Sequence, residues 1–291
     1  MVDLPFVPLL REKKYTSFTI KLINTTTIVS MPAKVYSHAQ HDDVVNAVGK
    51  HILKIQDESL KSSSTFKIAV SGGSLGKVLK QCLIDNTSIA PHVQWNKWEV
   101  YFSDERLVPL DHPDSNYGLF NEMVLSNLPS NTAKPKVNTI DESLLTGKDG
   151  QIASASQLQD ESIAKRYEAS LPENAKFDLI LLGCGPDGHT CSLFPDHRLL
   201  KERDELISAI SDSPKPPPRR ITFTFPVLER ASSIAFVAEG AGKAPIMEKI
   251  FVDKSSQLPS KLVNELKTGV DVLWFVDDSA IEGVNVISSK Y

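Results

Sequence analysis

A doubly wound α/β fold, with a mainly parallel sheet and helices on both faces in the Rossmann-like manner, is what the sequence predicts. Three observations carry that expectation. Short apolar runs alternate with helix-periodic segments, the pattern of strand–helix–strand units. Polar turns follow three of those runs, after Val70, Phe102 and Leu182. Neither an internal repeat nor a clear linker interrupts the pattern, so residues 31–291 read as one domain behind a disordered extension over residues 1–30.

The elements follow in order. An apolar segment at residues 33–36 suits a first strand. Val44, Val48, Ile52 and Ile55 recur at helical spacing and predict an amphipathic helix over about 40–60. Residues 66–70 form a short strand, then Ser71-Gly72-Gly73-Ser74 leads into a helix ending near Leu83. Another strand at 98–102 ends at Ser103-Asp104-Glu105-Arg106, and residues 116–128 are helical until Pro129 stops them. Residues 130–157 are polar and read as an irregular surface insertion. A helix over 158–171 leads to the strongly apolar strand before Gly183-Cys184-Gly185-Pro186-Asp187-Gly188-His189. The run Ser213-Pro214-Lys215-Pro216-Pro217-Pro218 predicts a stiff extended segment. Residues 221–225, 233–238 and 272–276 read as strands, 242–251 and 260–266 as helices.

Composition narrows the function. With 32 basic against 36 acidic side chains the net charge is -4, which argues against non-specific nucleic-acid binding. Cys82, Cys184 and Cys191 show no metal-site spacing and fit free thiols in a reducing compartment; the expected location is the cytoplasm, with the nucleus as an additional one. No apolar run reaches membrane-spanning length. At the N-terminus, Arg11, Lys13, Lys14 and Lys21 hint at a transit peptide, Asp3 and Glu12 oppose it, and Met31 is read as the start of the folded chain.

The candidate chemistry sits in the turns. His189 can take a proton near neutral pH, and Asp187 is near enough to orient it. The surrounding glycines match G-x-G-x-x-G, but Pro186 and Asp187 put a stiff ring and a negative charge where a pyrophosphate needs open amides. Gly72-Gly73-Ser74-Leu75-Gly76 has the form of a nucleophile elbow, yet an acid and base only two positions apart make a poor triad. The better use of that turn is to bind an anion through backbone amides at a helix start. Arg106 offers a forked donor for phosphate, and a charged triplet such as 104–106 otherwise reads as a solvated loop. Arg219-Arg220 follow the proline run, and Lys243 stands in a broken P-loop-like tail near a helix start. One imidazole–carboxylate pair among several phosphate donors suits hydrolysis of a phosphorylated substrate.

Together these segments resemble the 6-phosphogluconolactonase family of the pentose phosphate pathway. The resemblance rests on Ser71-Gly72-Gly73-Ser74, on the run from Ser103 through Arg106 to Pro109, and on Asp114-Ser115-Asn116-Tyr117-Gly118. It continues through residues 185–195, 212–218, 221–228 and 240–243, spanning about 35–280. It implies a fold shared with sugar-phosphate isomerases and deaminases, no metal or other cofactor, and no covalent intermediate. By the resemblance, His189 is the general base that activates water against a lactone carbonyl, oriented by Asp187. Arg106, Arg220 and Lys243 hold the 6-phosphate with the loop Ser71, Gly72, Gly73 and Ser74; Arg219 is the alternative to Arg220. Asp104 is expected to contact sugar hydroxyls. The expected partner is a small phosphorylated sugar lactone. Some fungal relatives are linked to tRNA export and have lost lactonase residues; this chain keeps His189, Asp187, Arg106 and Lys243, which favours the enzyme. Residues 1–30 depart from the family pattern, and the 130–157 insertion looks lineage-specific.

Overall fold

Eight parallel strands form the central sheet of the computed structural model, which describes residues 33–145 and 157–291. The expectations for residues 1–30, for Met31 and for 146–156 lie outside the described residues. In chain order the elements are β1 (Lys34–His38), α1 (His41–Ser59), β2 (Phe66–Val70), α2 (Ser74–Lys80), β3 (Trp98–Phe102), β4 (Asp104–Arg106), α3 (Asn116–Met123), β5 (Lys136–Val137) and α4 (Gln157–Glu168). They continue with β6 (Leu179–Gly183), β7 (Ile207–Ile210), β8 (Arg220–Phe223), α5 (Phe225–Leu228), β9 (Ser233–Ala238), α6 (Ala244–Phe251), α7 (Pro259–Asn264), β10 (Asp271–Asp277) and β11 (Ser288–Ser289).

The strand order is β11-β1-β10-β9-β6-β2-β3-β5. Alternation of side chains along each strand splits the core into two layers. Leu179 and Leu181 of β6, Ala235 and Val237 of β9, and Leu273 and Phe275 of β10 face the layer shared with α1 and α2. Ile180, Leu182, Ile234, Phe236 and Trp274 face the opposite layer, with Ile163 and Tyr167 of α4 and Met247 of α6. Because both faces are buried, these strands read as continuous apolar runs. The doubly wound, mainly parallel fold is therefore the one expected.

From β2 the chain moves to β3 and β5 on one side; β6, β9 and β10 build the other side. The winding reverses between β2 and β6, and a crevice opens beyond their carboxyl ends.

Three details differ from expectation. The strand read at 221–225 is β8, and it belongs to a separate antiparallel sheet of order β4-β8-β7. That sheet lies in the α4 layer, and neither β4 nor β7 was anticipated from the sequence. The insertion is not wholly irregular, since β5 extends the main sheet beside β3. The proline run curls instead of extending: the Ser213 N–H donates to the Pro218 carbonyl at 3.3 Å. Arg220 draws the loop in by donating to the carbonyls of Lys215, Pro216 and Pro217.

Tyr167 fastens α4 to the end of β3. Its fully buried hydroxyl accepts from the Phe102 N–H at 2.7 Å and donates to the Phe102 carbonyl at 3.1 Å. Tyr167→Phe removes a partner from two buried backbone groups and is expected to cost about 1–3 kcal/mol, read as a lower midpoint in urea denaturation with an unchanged slope.

Candidate active site

The turn after β6 is shaped by a close approach. The Gly185 N–H donates to the His189 carbonyl at 2.9 Å, and the Gly188 N–H to the Gly185 carbonyl at 3.0 Å. Gly188 has φ 79°, a conformation that favours glycine. A β-carbon at Gly185 would lie 2.0 Å from His189 Nδ1. The glycines of the G-x-G-x-x-G match thus serve the tight turn and the imidazole. No helix opens directly after them, as a dinucleotide site would need; only a single 3₁₀ turn follows, at Arg198–Lys201.

His189 Nδ1 lies 2.5 Å from Asp187 Oδ1. An ionised carboxylate only accepts, so Nδ1 carries the hydrogen and Nε2 keeps its lone pair. Burial lowers the His189 pKa below its ordinary 6.5, and Asp187 opposes that shift without cancelling it. The imidazole is therefore neutral at pH 7 and able to accept a proton. Burial also works against the charge on Asp187, but the hydrogen bond and charge of His189, with the Lys215 ammonium, outweigh it and hold the carboxyl at about 2. The Phe194 ring packs against the imidazole at 4.9 Å between centroids.

His189 opens onto a cavity of about 260 Å³ at the switch point. Ser71, Gly72, Gly73 and Ser74 from the turn after β2 line it, with Asp104 and Arg106 of β4, Arg220 of β8, and Lys243 ahead of α6. The three polar turns noted in the sequence thus meet in one place. Gly73, at φ 68°, lets the chain turn into α2. Ser74 hydrogen-bonds no base among the described residues, so its elbow-like motif lacks the partners of a covalent nucleophile.

The cations differ in what already holds them. Arg106 Nη1 donates to the Asp114 carbonyl at 2.7 Å, but its buried Nε has no hydrogen-bond partner among the described residues. Lys243 Nζ donates to the Cys184 carbonyl at 2.6 Å, tying it to the histidine turn. Arg220 is 2% exposed, and its guanidinium is largely committed to the proline loop and to Ser192. Arg219 points elsewhere, forming an ion pair with buried Asp160 of α4. Of the two neighbouring arginines, Arg220 is the one at the cavity.

Asp104 and Glu105 are not a solvated loop: they are 5% and 1% exposed. Asp104 accepts from Ser192 Oγ at 2.7 Å and Asn116 Nδ2 at 3.2 Å. Glu105 accepts from the backbone N–H groups of Arg106, Asn116 and Tyr117. Burial pushes its pKa up to about 7 against those donors. Glu105, Asn116, Ser192, Lys215 and Glu239 were not singled out as site residues. Glu105, Asn116, Ser192 and Lys215 lie inside the family-like segments, which was the available signal. Glu239 carried no signal; it lines the cavity and meets His41 Nδ1 at 2.8 Å. Among the described residues, no group of three or more His, Cys, Asp or Glu is placed to hold a metal ion, and no helix is long and apolar enough to cross a membrane.

A family model described as glucosamine-6-phosphate isomerases/6-phosphogluconolactonase matches residues 39–274. The Saccharomyces cerevisiae protein 6-phosphogluconolactonase 3 is 48% identical over 245 residues, which cover 83% of this chain and 94% of that protein. Human 6-phosphogluconolactonase is 41% identical over 228 residues, 78% of this chain and 83% of its own. The solved 6-phosphogluconolactonase of Trypanosoma brucei superposes with a TM-score of 0.70 at 26% identity, covering 87% of this chain and 98% of that one.

Gly185→Ala tests the close approach. The added methyl forces the His189 ring or the turn to move, and overpacking of this kind costs about 1–3 kcal/mol. The expected result is a lowered thermal midpoint and a displaced His189 imidazole signal in NMR spectra.

Proposed function

The chain belongs to the family of glucosamine-6-phosphate isomerases and 6-phosphogluconolactonases, and we propose that it hydrolyses 6-phospho-D-glucono-1,5-lactone to 6-phospho-D-gluconate in the oxidative pentose phosphate pathway. The observation that carries the reading is the Asp187–His189 hydrogen bond of 2.5 Å beside a cavity shared with Arg106 and Lys243. A base and phosphate donors in one crevice are what a phosphorylated lactone requires.

In the proposed reaction His189 Nε2 takes a proton from water as the oxygen attacks the lactone carbonyl. Asp187 keeps the tautomer that leaves Nε2 free and offsets the charge of the imidazolium. The tetrahedral oxyanion collapses, the bond from the carbonyl carbon to the ring oxygen breaks, and the imidazolium returns the proton to that oxygen. The new carboxylic acid then ionises.

For the 6-phosphate, the unpartnered Nε–H of Arg106 and the ammonium of Lys243 are the donors best supported, with the Ser71–Ser74 turn at the start of α2. Arg220 adds positive charge but serves chiefly to hold its own loop. Asp104, anchored by Ser192 and Asn116, faces the same cavity and suits sugar hydroxyls. We also propose a cytoplasmic location, supported by three free cysteines. The matched relatives lend no support to the tRNA-export alternative.

Turnover of the phosphorylated lactone by the purified chain is the direct test. His189→Asn is expected to lower kcat by about two to four orders of magnitude; near-normal turnover would remove the assignment. Because burial keeps His189 below its ordinary 6.5, kcat/KM should stay level through neutral pH. It should fall only on the acid side, where the imidazole protonates. Arg106→Ala and Lys243→Ala each remove a charge-assisted contact worth roughly 1.5–3 kcal/mol. The expected outcome is a raised KM for the phosphorylated lactone, with far less effect on an unphosphorylated one.

A further inference from the structure

Resting on the lactonase reading, we infer that Lys215 is a positioning residue for the catalytic pair: its ammonium grips the carboxylate oxygen of Asp187 that also holds the imidazole, and so fixes the base from behind. Lys215 Nζ lies 3.0 Å from Asp187 Oδ1 and 3.0 Å from His189 Nδ1. Nδ1 already donates to Asp187, so two N–H donors converge on one acceptor, and the lysine does not bond the ring. Lys215 does not share the lining of the cavity with His189. Its ammonium meets the pair at Asp187 Oδ1 and beside Nδ1, the ring nitrogen that does not react.

The loop is built to deliver this one side chain. Ser213 Oγ donates to the Lys215 carbonyl at 2.9 Å while accepting from the Lys215 N–H at 3.2 Å. Arg220 Nη2 donates to the same carbonyl at 2.9 Å. Three prolines follow directly and restrict the chain further. A backbone fixed on both sides lowers the entropy lost when the lysine stem settles on Asp187. The buried guanidinium of Arg220 thereby gains a role in shaping this loop.

Charge completes the argument. The charged groups acting on the His189 ring are Asp187, Lys215 and Asp104, with the neutral Phe194 ring against one face. Asp187 and Asp104 favour the imidazolium, whereas Lys215 disfavours it. Burial is the larger cause of the neutral base; the lysine acts in the same direction, while its grip on Asp187 preserves the orienting carboxylate.

The test compares Lys215→Met and Lys215→Arg with the unaltered full chain. Two readouts are needed: the pH profile of kcat/KM, and the NMR titration of the His189 imidazole. In Lys215→Met, the acid limb and the His189 midpoint are expected to move up together by about one pH unit, a tenfold change in the protonation equilibrium. The KM for the phosphorylated lactone should stay within about twofold, since no substrate contact is lost. Lys215→Arg keeps the cation and should return the midpoint toward its original value. An unmoved midpoint in Lys215→Met would overturn the inference. So would a raised KM with unchanged kcat, which would make Lys215 a substrate contact. Should Lys215→Met fail to fold, Lys215→Gln carries the same measurement. The titration needs no turnover, so it decides the role of Lys215 even if the unaltered chain leaves the lactone intact.

Discussion

The reversal of winding between β2 and β6 is the constraint on which the rest of this molecule depends. A parallel sheet covered on both faces leaves few places where backbone can end near solvent without being overlaid by a crossover. Here the turns after both strands are free to carry glycine, serine and histidine. Every other part of the site is brought to that crevice from elsewhere. β4 and β8 bring Asp104, Arg106 and Arg220 through the small antiparallel sheet, and the Gly240 turn after β9 brings Lys243.

Buried charge is the second organising element. Asp104, Glu105 and Arg220 would each be costly to bury alone. Asp104 and Glu105 take their donors from Ser192, Asn116 and the first turn of α3. Arg220 gives its protons to loop carbonyls and Ser192. The result is a rigid polar wall, one side of which supports the base while the other presents cations. Such a wall holds its geometry before a ligand arrives, the condition under which electrostatic stabilisation is most effective.

Legibility in the sequence followed the physics of each element. Strands buried on both faces announce themselves as apolar runs, so β2, β3, β6, β9 and β10 were readable, as was α1 from its spacing. β4 was not, because Asp-Glu-Arg looks like a solvated loop until partners 10 or more positions away are known. β7 was missed for a related reason, and β8, though readable as a strand, could not be assigned to a second sheet: their antiparallel pairing is set by tertiary context. His189, Asp187 and the cations could be named from residue type and turn chemistry. Which arginine faces the cavity could not, since neighbouring residues on a strand point to opposite faces and no local signal gives the phase. The link from Lys215 to Asp187 spans 28 positions and was equally invisible.

The place of β1 has a consequence for how the molecule comes into being. β1 lies between β10 and β11 in the sheet, and Lys34 of β1 pairs with Asp271 across 237 positions. Synthesised early, β1 finds its hydrogen-bonding neighbour only after nearly all the other strands exist. Closing so long a loop makes this contact a slow one. Until then the growing sheet carries an uncovered β10 position at one flank, where an unpaired strand invites association with other chains. The strand farthest from the catalytic turn in sequence order thus covers β10, and its own outer edge is closed in turn by β11 at the other end of the chain.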